Sequence, residues 1–451
     1  MSVVDIKTGR LNAAQYAENF SDIHPPLDRN SAVIEANRCL MCYDAPCIKA
    51  CPTSIDIPIF IKKISTDNVK GAATTILSAN IMGGACARVC PVEELCEQAC
   101  VRNTQSGQPI KIGQLQRYAT DHLFARQDAQ IFTRKPATGK KIAIVGAGPA
   151  GLSCAHKLAQ EGHDITIYES RAKAGGLNEY GIAAYKVPDD FAQEEVDFIL
   201  SIGGITIQHG QALGQQITLT QLRKDYDAVF LGLGLAGVNA LGIQGEDIAG
   251  VENAVDYIEK LRSAPDKSKL PVGRRVVVIG GGNTAIDMAI QIKRLGAEDV
   301  TLVYRRGPEN MTATDWECEL AQTNDVRIMH WSIPRDLMVT DGYLTGIVFE
   351  YAQLNDKGQL MGTGDKYALP ADQVFKSIGQ VFVPSPLKDN GKDLLQLSAK
   401  GRIAVNDDGQ TSLADVWAGG DCTEGQDLTV AAVQGGKTAA LAIDRFLKGN
   451  K

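Results

Sequence analysis

Eight of the eleven cysteines fall in two tight groups, Cys39-Cys42-Cys47-Cys51 closed by Pro52, and Cys86-Cys90 with Pro91 followed by Cys96 and Cys100. Sulfur at such spacing has three chemistries. Thiolates can staple a structural zinc, for which Cys39-x-x-Cys42 alone would suffice. A CxxC pair can cycle as a redox dithiol. Four ligands can also hold an iron–sulfur cluster, and ferredoxin-type runs read C-x2-C-x2-C-x3-C-P, with the fourth cysteine serving the other cluster. The run from Cys39 to Pro52 keeps that order with two extra residues between its second and third cysteines, and Cys86 to Pro91 repeats the C-x3-C-P ending. Cys154, Cys318 and Cys422 are solitary and read as small buried residues.

Two glycine turns supply a second kind of chemistry. Ile142–Val145 reads as a strand running into Gly146-x-Gly148-x-x-Gly151, through Pro149 and Ala150 to Leu152, and then into a helix. The next strand, Asp164–Tyr168, ends in Glu169. Glycines permit the tight turn and close approach to a pyrophosphate, and the helix N-terminus offers N–H groups to it. An acid about twenty residues on can accept hydrogen bonds from a ribose. The pattern recurs at Arg274–Ile279, Gly280-Gly281-Gly282, Asn283, Thr284 and Ala285, with the following strand at Val300–Tyr304. There Arg305-Arg306 stand where the carboxylate would be. Paired guanidiniums suit a 2′-phosphate, so NADP(H) is preferred, with NAD(H) as the alternative.

The elements that must position these residues follow from periodicity. A helix with Ala32, Val33 and Ala36 leads into Cys39. One or two helices between Ile57 and Asn80 carry Ile61, Ile64, Ile76 and Leu77. Another starts near Ile112 and runs through Leu115, Tyr118 and Leu123. Residues 1 to about 30, ending in His24-Pro25-Pro26, read as an extended arm, and residues 133–139 as a linker. Ala371–Gly379 reads as a strand leaving the second nucleotide unit, and Ser412–Asp421 as a strand, glycine turn and acid. A long helix then covers Leu428–Leu447. The expected domains are residues 1–137, an α-helical cysteine domain; 138–265 with 378–451, the first nucleotide domain; and 266–377, the second, inserted in the first.

The totals agree with a multidomain α/β protein: 451 residues, 44% hydrophobic, 45 glycines. A formal charge of −7 argues against nucleic-acid binding. The N-terminus MSVVDIKTGR lacks a signal-peptide pattern, and the longest apolar run, near Ala228–Val238, is about half a bilayer span. No membrane association is expected, and a cytoplasmic location, where thiols stay reduced, is.

The set GAGPAGL…YE…GGL, GGGNTA…YRR and WAGGDC resembles the flavoproteins with two dinucleotide domains, FAD first and NAD(P) second. With RCLMCYDAPCIKACPTSIDI and GACARVCPVEELCEQAC added, nearly the whole chain is similar to the electron-input half of dihydropyrimidine dehydrogenases and to the small subunit of NADPH-dependent glutamate synthase. The resemblance implies a Rossmann-like flavoprotein with an N-terminal α-helical domain holding two [4Fe–4S] clusters. It implies Cys39, Cys42, Cys47 and Cys100 as ligands of one cluster, and Cys51, Cys90, Cys96 and the side-chain oxygen of Gln116 as ligands of the other. Cys86 is then a bystander. It further implies FAD at Gly148 to Leu152, Glu169, Gly176, Leu177 and Asp421, cofactor contacts at Lys186, Gly379 and Thr429, and Val89 where the cluster domain touches flavin. The nicotinamide nucleotide is implied at Gly281 to Thr284 with Arg305 and Arg306. Two positions depart from the pattern. Lys186 stands where dihydropyrimidine dehydrogenases have an arginine, and Thr312 replaces a second NADP-binding arginine.

The function this implies is electron input, with hydride passing from NADPH to flavin and single electrons from there to the clusters. No general acid or base is expected, because the cofactors carry the chemistry. No redox CxxC follows the first glycine turn, which argues against a disulfide reductase. A pyrimidine-reducing site needs an FMN-bearing barrel that this chain does not supply. The expected partner is therefore a catalytic subunit with FMN and iron–sulfur, in a hetero-oligomer. A glutamate synthase small subunit is the alternative, and a zinc-stapled, non-enzymatic scaffold with a dinucleotide sensor is a third reading.

Overall fold

The computed structural model describes residues 10–126, 130–389 and 392–449. The stretch read for a signal pattern lies outside them apart from Arg10. The chain divides into two compact units. One comprises residues 24–179, 189–236 and 382–451, the other residues 1–23, 180–188 and 237–381.

The first unit begins with short helices. Ile57–Ser65 buries Ile57, Phe60, Ile61 and Ile64, and Val69–Ala79 buries Ala72, Ala73, Ile76 and Leu77. Their N-termini are closed by Asp56, which accepts from the Ile59 N–H at 3.1 Å, and Asn68, which accepts from the Gly71 N–H at 3.0 Å. The cysteines sit in or beside shorter pieces, Pro46–Ala50, Gly83–Val89 and Val101–Ser106. Ile112–Phe124 packs Leu115, Ala119 and Leu123 against this helical layer.

A five-stranded parallel sheet completes the unit, in the order Val416–Ala418, Ala228–Leu231, Lys141–Val145, Asp164–Glu169, Ile205–His209. Residues 133–139, expected as a linker, do not separate two cores. Ile131 and Phe132 pack against one continuous core that runs from Ala36 to Ile443, and Phe132 meets the His156 ring edge-on at 4.8 Å. The cysteine-bearing helices and the first nucleotide sheet therefore form one unit, where the sequence suggested two domains.

The second unit repeats the parallel sheet in the order Val251–Asn253, Gln373–Lys376, Arg275–Ile279, Asp299–Val303, Val326–Met329. It starts at Gly237, upstream of the expected residue 266, because Val251–Asn253 pairs in register with Gln373–Lys376. An antiparallel meander of Ser332–Thr340, Tyr343–Leu354 and Leu360–Pro370 is added, which the sequence reading did not anticipate. The expected extended arm contains a helix, Ala13–Asn19, opened by a capping box between Asn12 and Gln15. Its Tyr16, with Phe20, lies in the same core as Tyr257, Ile258 and Leu261, so the arm is part of this unit. Among the described residues, no helix is long and apolar enough to cross a membrane. The architecture is α/β, with two dinucleotide-binding folds and an N-terminal helical layer.

Candidate cofactor sites

At the first glycine turn, Lys141–Val145 passes through Gly146 into the helix Pro149–Gln160, whose N-cap is Gly148. Among the described residues no side chain caps this helix, unlike Arg29–Asn37, which Asp28 closes. Its first N–H groups and positive dipole end are left for an anion. Gly151 has to be glycine, because a Cβ there would collide with the Gly146 carbonyl oxygen. Ala150 and Leu152 are buried on the same turn.

Glu169 ends the adjacent strand, buried at 7% exposure. One carboxylate oxygen accepts from the Ala147 N–H at 2.8 Å, and the other accepts from the Arg171 N–H at 2.8 Å and the Ser170 hydroxyl at 3.2 Å. These bonds aim the carboxylate across the turn and leave lone pairs for hydroxyl donors. Gly176 lies directly against Gly148, and Leu177 opens the short helix Leu177–Tyr180. Asn178 is 1% exposed; its oxygen accepts from the Thr429 hydroxyl at 3.0 Å, while its Nδ2 has no partner among the described residues. Burial, and then Asp427, pushes the Asp421 carboxyl up to about 6, against the pull of Arg402. A flavin dinucleotide fits these residues: an anion-ready helix end, a fixed ribose acceptor, and a buried amide donor still to be satisfied.

The second turn repeats the arrangement. Gly280 has φ +156°, and a Cβ there would collide with the Ser377 carbonyl oxygen. Gly282 is the N-cap of Asn283–Arg294, again without a side-chain cap. The Asn283 oxygen instead accepts from the Thr314 N–H at 3.3 Å, and the Gly281 carbonyl accepts from the N–H groups of Thr312 at 2.9 Å and Ala313 at 3.0 Å. Thr284 is half-buried in the first turn. Arg305 and Arg306 follow Asp299–Val303, both exposed, and no hydrogen bond or ion pair engages either guanidinium among the described residues.

Gly379 and Lys186 both belong to this second unit. Gly379 has φ +98°, and its carbonyl accepts from the Asn239 N–H at 3.1 Å. Lys186 is buried, 2.8 Å from Asp287 and paired with Glu317, while the Tyr185 hydroxyl donates to Asp287 at 3.0 Å. Burial pushes the Lys186 ammonium down, but Asp287 and Glu317 more than reverse it. That cation is committed to protein carboxylates.

No disulfide joins any of the eleven cysteines. Their mutual electrostatics sort the eight into two sets. Burial, then Cys100 and Cys39, pushes Cys47 up to about 12, and burial, then Cys100 and Cys42, raises Cys39. Cys90 is raised first by its hydrogen bond with Cys86, then by burial, Cys96 and Cys51; Cys96 is raised by burial, Glu97 and Cys51, with a smaller push from Cys47. Cys39, Cys42, Cys47 and Cys100 thus form one set, and Cys51, Cys86, Cys90 and Cys96 the other. Cys39, Cys47, Cys90 and Cys96, which burial and neighbouring thiols hold protonated, are groups whose deprotonation a bound metal drives. Among the described residues no three His, Cys, Asp or Glu side chains gather at the spacing of a single metal ion. The ligands of a polynuclear cluster stand further apart, and two such sets suit two clusters.

Gln116, buried on Ile112–Phe124, donates its Nε2 to the Gly83 carbonyl at 2.7 Å. That bond uses the amide nitrogen and fixes the orientation of the side chain. Gly83 opens the helix Gly83–Val89, which carries Cys86 and ends with half-buried Val89 immediately before Cys90. Glu195, on Phe191–Leu200, accepts from the N–H groups of Gly84 at 2.8 Å and Ala85 at 3.0 Å. Arg88 lies over the Phe191 ring, 3.4 Å from its centroid, and donates to Asp121 at 2.8 Å. The Glu195 and Phe191 contacts bolt the helix to the flavin half of the unit, and Asp121 ties it to Ile112–Phe124. The sequence reading missed Glu195 and Asn178. Glu195 had one visible cue, a charge on the buried face formed by Phe191, Ala192, Val196 and Ile199.

Residues 16–128 match the family described as dihydropyrimidine dehydrogenase domain II, 4Fe-4S cluster, and residues 140–436 match pyridine nucleotide-disulphide oxidoreductase. The NAD-dependent dihydropyrimidine dehydrogenase subunit PreT of Escherichia coli O157:H7 is 35% identical over 434 residues, covering 96% of this chain and 98% of that protein. The glutamate synthase [NADPH] small chain of Escherichia coli K12 is 32% identical over 448 residues, covering 95% and 94%. Among solved structures, FprA of Mycobacterium tuberculosis has a TM-score of 0.59 at 20% identity, covering 70% of this chain and 85% of its own. Thioredoxin reductase of T. acidophilum has a TM-score of 0.52 at 20% identity, covering 68% and 99%. At that identity the structural likeness speaks for the fold alone.

Proposed function

The chain belongs to the pyridine nucleotide-disulphide oxidoreductase family, and on that premise we propose that it is the NAD(P)H-oxidising, electron-input subunit of a dihydropyrimidine dehydrogenase, delivering electrons to a partner subunit with FMN and iron–sulfur that reduces uracil or thymine. FAD held in the first unit would supply hydride acceptance and one-electron release, and [4Fe–4S] clusters held by the cysteines would supply one-electron carriage.

The chain's residues bind and orient. Gly146, Gly148, Pro149, Ala150, Gly151 and Leu152 form the FAD pyrophosphate turn, Glu169 holds the ribose, and Gly176, Leu177, Asp421 and Thr429 border the rest, with Asn178 as a further donor. Gly280 to Thr284 receive the nicotinamide nucleotide. Cys39, Cys42, Cys47 and Cys100 hold one cluster; Cys51, Cys90, Cys96 and Gln116 hold the other, with Val89 toward the flavin. Lys186, locked to Asp287 and Glu317, positions the 180–188 segment within the second unit. The unengaged Arg305 and Arg306 support NADPH. PreT relatives are named NAD-dependent and the glutamate synthase chain NADPH-dependent.

The observation that carries this reading is the tie between cysteines and flavin turn: both thiol sets lie in one compact unit with it, and Glu195 of the flavin half caps the cysteine-bearing helix. The test is co-purification with the product of the neighbouring gene, then NADPH oxidation with uracil, or with glutamine plus 2-oxoglutarate. Uracil-dependent turnover is expected. Turnover that needs glutamine and ignores uracil would establish the second reading, a glutamate synthase small chain, which the 32% identity over nearly the whole chain favours.

A further inference from the structure

Two side chains that are not among the ligand candidates bear on the second thiol set, from different elements. Thr53 lies two residues beyond Cys51, in the turn before Ile57–Ser65, and is 3% exposed. Its hydroxyl oxygen is 3.3 Å from the Cys51 sulfur. A thiolate carries no hydrogen, so when Cys51 is a ligand it is Thr53 that donates.

Lys437 belongs to another element. It sits midway along Thr429–Leu447, the last helix of the flavin half, which packs on Gly83–Val89. It is half-buried, and its ammonium donates to the Ala79 carbonyl at 3.0 Å, at the end of Val69–Ala79. Among the described residues no carboxylate pairs with it. Burial, and then Lys157, pushes the Lys437 ammonium below the ordinary lysine value, while the Cys51 thiol pulls it back up. A positive charge with no counter-ion is thus held, within electrostatic reach of Cys51, by the part of the fold that makes the flavin site.

Reduction of a cluster adds one electron and neither makes nor breaks a bond. The reduced form is the more negative, so a hydrogen bond to a ligand sulfur and a nearby cation both favour it. Resting on the ligand assignment above, we propose that Thr53 and Lys437 set the reduction potential of the cluster anchored by Cys51, holding it above the value its ligands alone would give. Because Lys437 belongs to the flavin half, that potential depends on the C-terminal helix being docked against the cysteine helices. The first set has a cation of its own, Arg102 near Cys39, so the inference concerns the Cys51 cluster itself and not its rank against the other.

The test is an anaerobic redox titration of the holoprotein followed by electron paramagnetic resonance, with iron content measured alongside. The Cys51 cluster is identified as the signal lost in Cys51→Ala. Lys437→Gln is expected to lower that cluster's midpoint by roughly tenfold in the reduction equilibrium, about 59 mV for one electron. Thr53→Val should lower it by a smaller amount. Lys437→Arg and Thr53→Ser, which keep the charge and the hydroxyl, should hold it near wild type, and the other cluster should not move. Unchanged midpoints in both Lys437→Gln and Thr53→Val, with full iron content, would overturn the proposal. If one of the two variants loses iron, the other decides. A wild-type protein with one cluster, or two signals surviving in Cys51→Ala, would instead overturn the ligand assignment beneath it.

Discussion

Gln116 is where residue type and proposed role sit furthest apart, since a neutral amide oxygen is a weaker iron ligand than a thiolate. Cys86 is its competitor, being in the same thiol set and hydrogen-bonded to Cys90. The Gln116 nitrogen is already spent on the Gly83 carbonyl, which presents the oxygen; Gln116→Ala is therefore expected to lose about half the bound iron, and Cys86→Ala to keep nearly all of it. Iron and acid-labile sulfide counts decide between them, and a cluster lost only in Cys86→Ala would reverse the assignment. A second residue carries a pH prediction. His156 is 3% exposed, its Nε2 has no partner among the described residues, and burial, then Lys157, pushes its imidazole down to about 3. The unfolded chain takes up that proton below about 6.5 and the folded one does not. Stability from the neutral ring is thus fully present above about pH 6.5 and is lost as pH falls toward 3, reaching roughly 2 kcal/mol at pH 5. His156→Leu should flatten the fall in melting temperature between pH 7 and pH 5. Cysteines and turn glycines were legible in the sequence because their types are rare and their spacing is local. Glu195, Asn178 and Lys437 were not, because the partners that give them meaning lie far away along the chain.

Among elements, the two strand–turn–helix units were readable because strand, turn and helix follow without interruption, and helices such as Ile112–Phe124 kept their apolar spacing. The meander Ser332–Pro370 escaped notice because its strands alternate weakly; Leu360–Pro370 buries almost nothing. The proposed nucleotide preference rests on the two arginines that follow Asp299–Val303. Each guanidinium bonded to a 2′-phosphate is worth about 1.5–3 kcal/mol as a charge-assisted contact. Replacing both Arg305 and Arg306 with alanine should raise KM for NADPH at least tenfold and leave NADH nearly unchanged, measured with an artificial one-electron acceptor. Equal effects on both nucleotides, or none, would remove the 2′-phosphate reading and return preference to NADH.

At the scale of the whole molecule, the second nucleotide unit is assembled from three separated segments, and no local pattern announces that. Residues 10–23 look dispensable in sequence: polar, near a terminus and followed by two prolines. In the structure they complete a core. Tyr16 and Phe20 are buried with Tyr257, Ile258 and Leu261, the Arg10 guanidinium donates to the Gly296 carbonyl at 3.0 Å, and Asn19 and Arg294 exchange bonds of 2.8 and 2.9 Å with each other's carbonyls. Burying two aromatic side chains is worth about 3–6 kcal/mol. Deleting residues 2–23 should therefore weaken the second unit selectively. Flavin absorbance and iron content, which belong to the other unit, should stay near wild type. Protection against thermal unfolding by NADPH should fall sharply, because the helix and turn that receive the nucleotide rest on the core the arm helps to close. Loss of flavin or iron in step with nucleotide binding would mean that the two units fold as one.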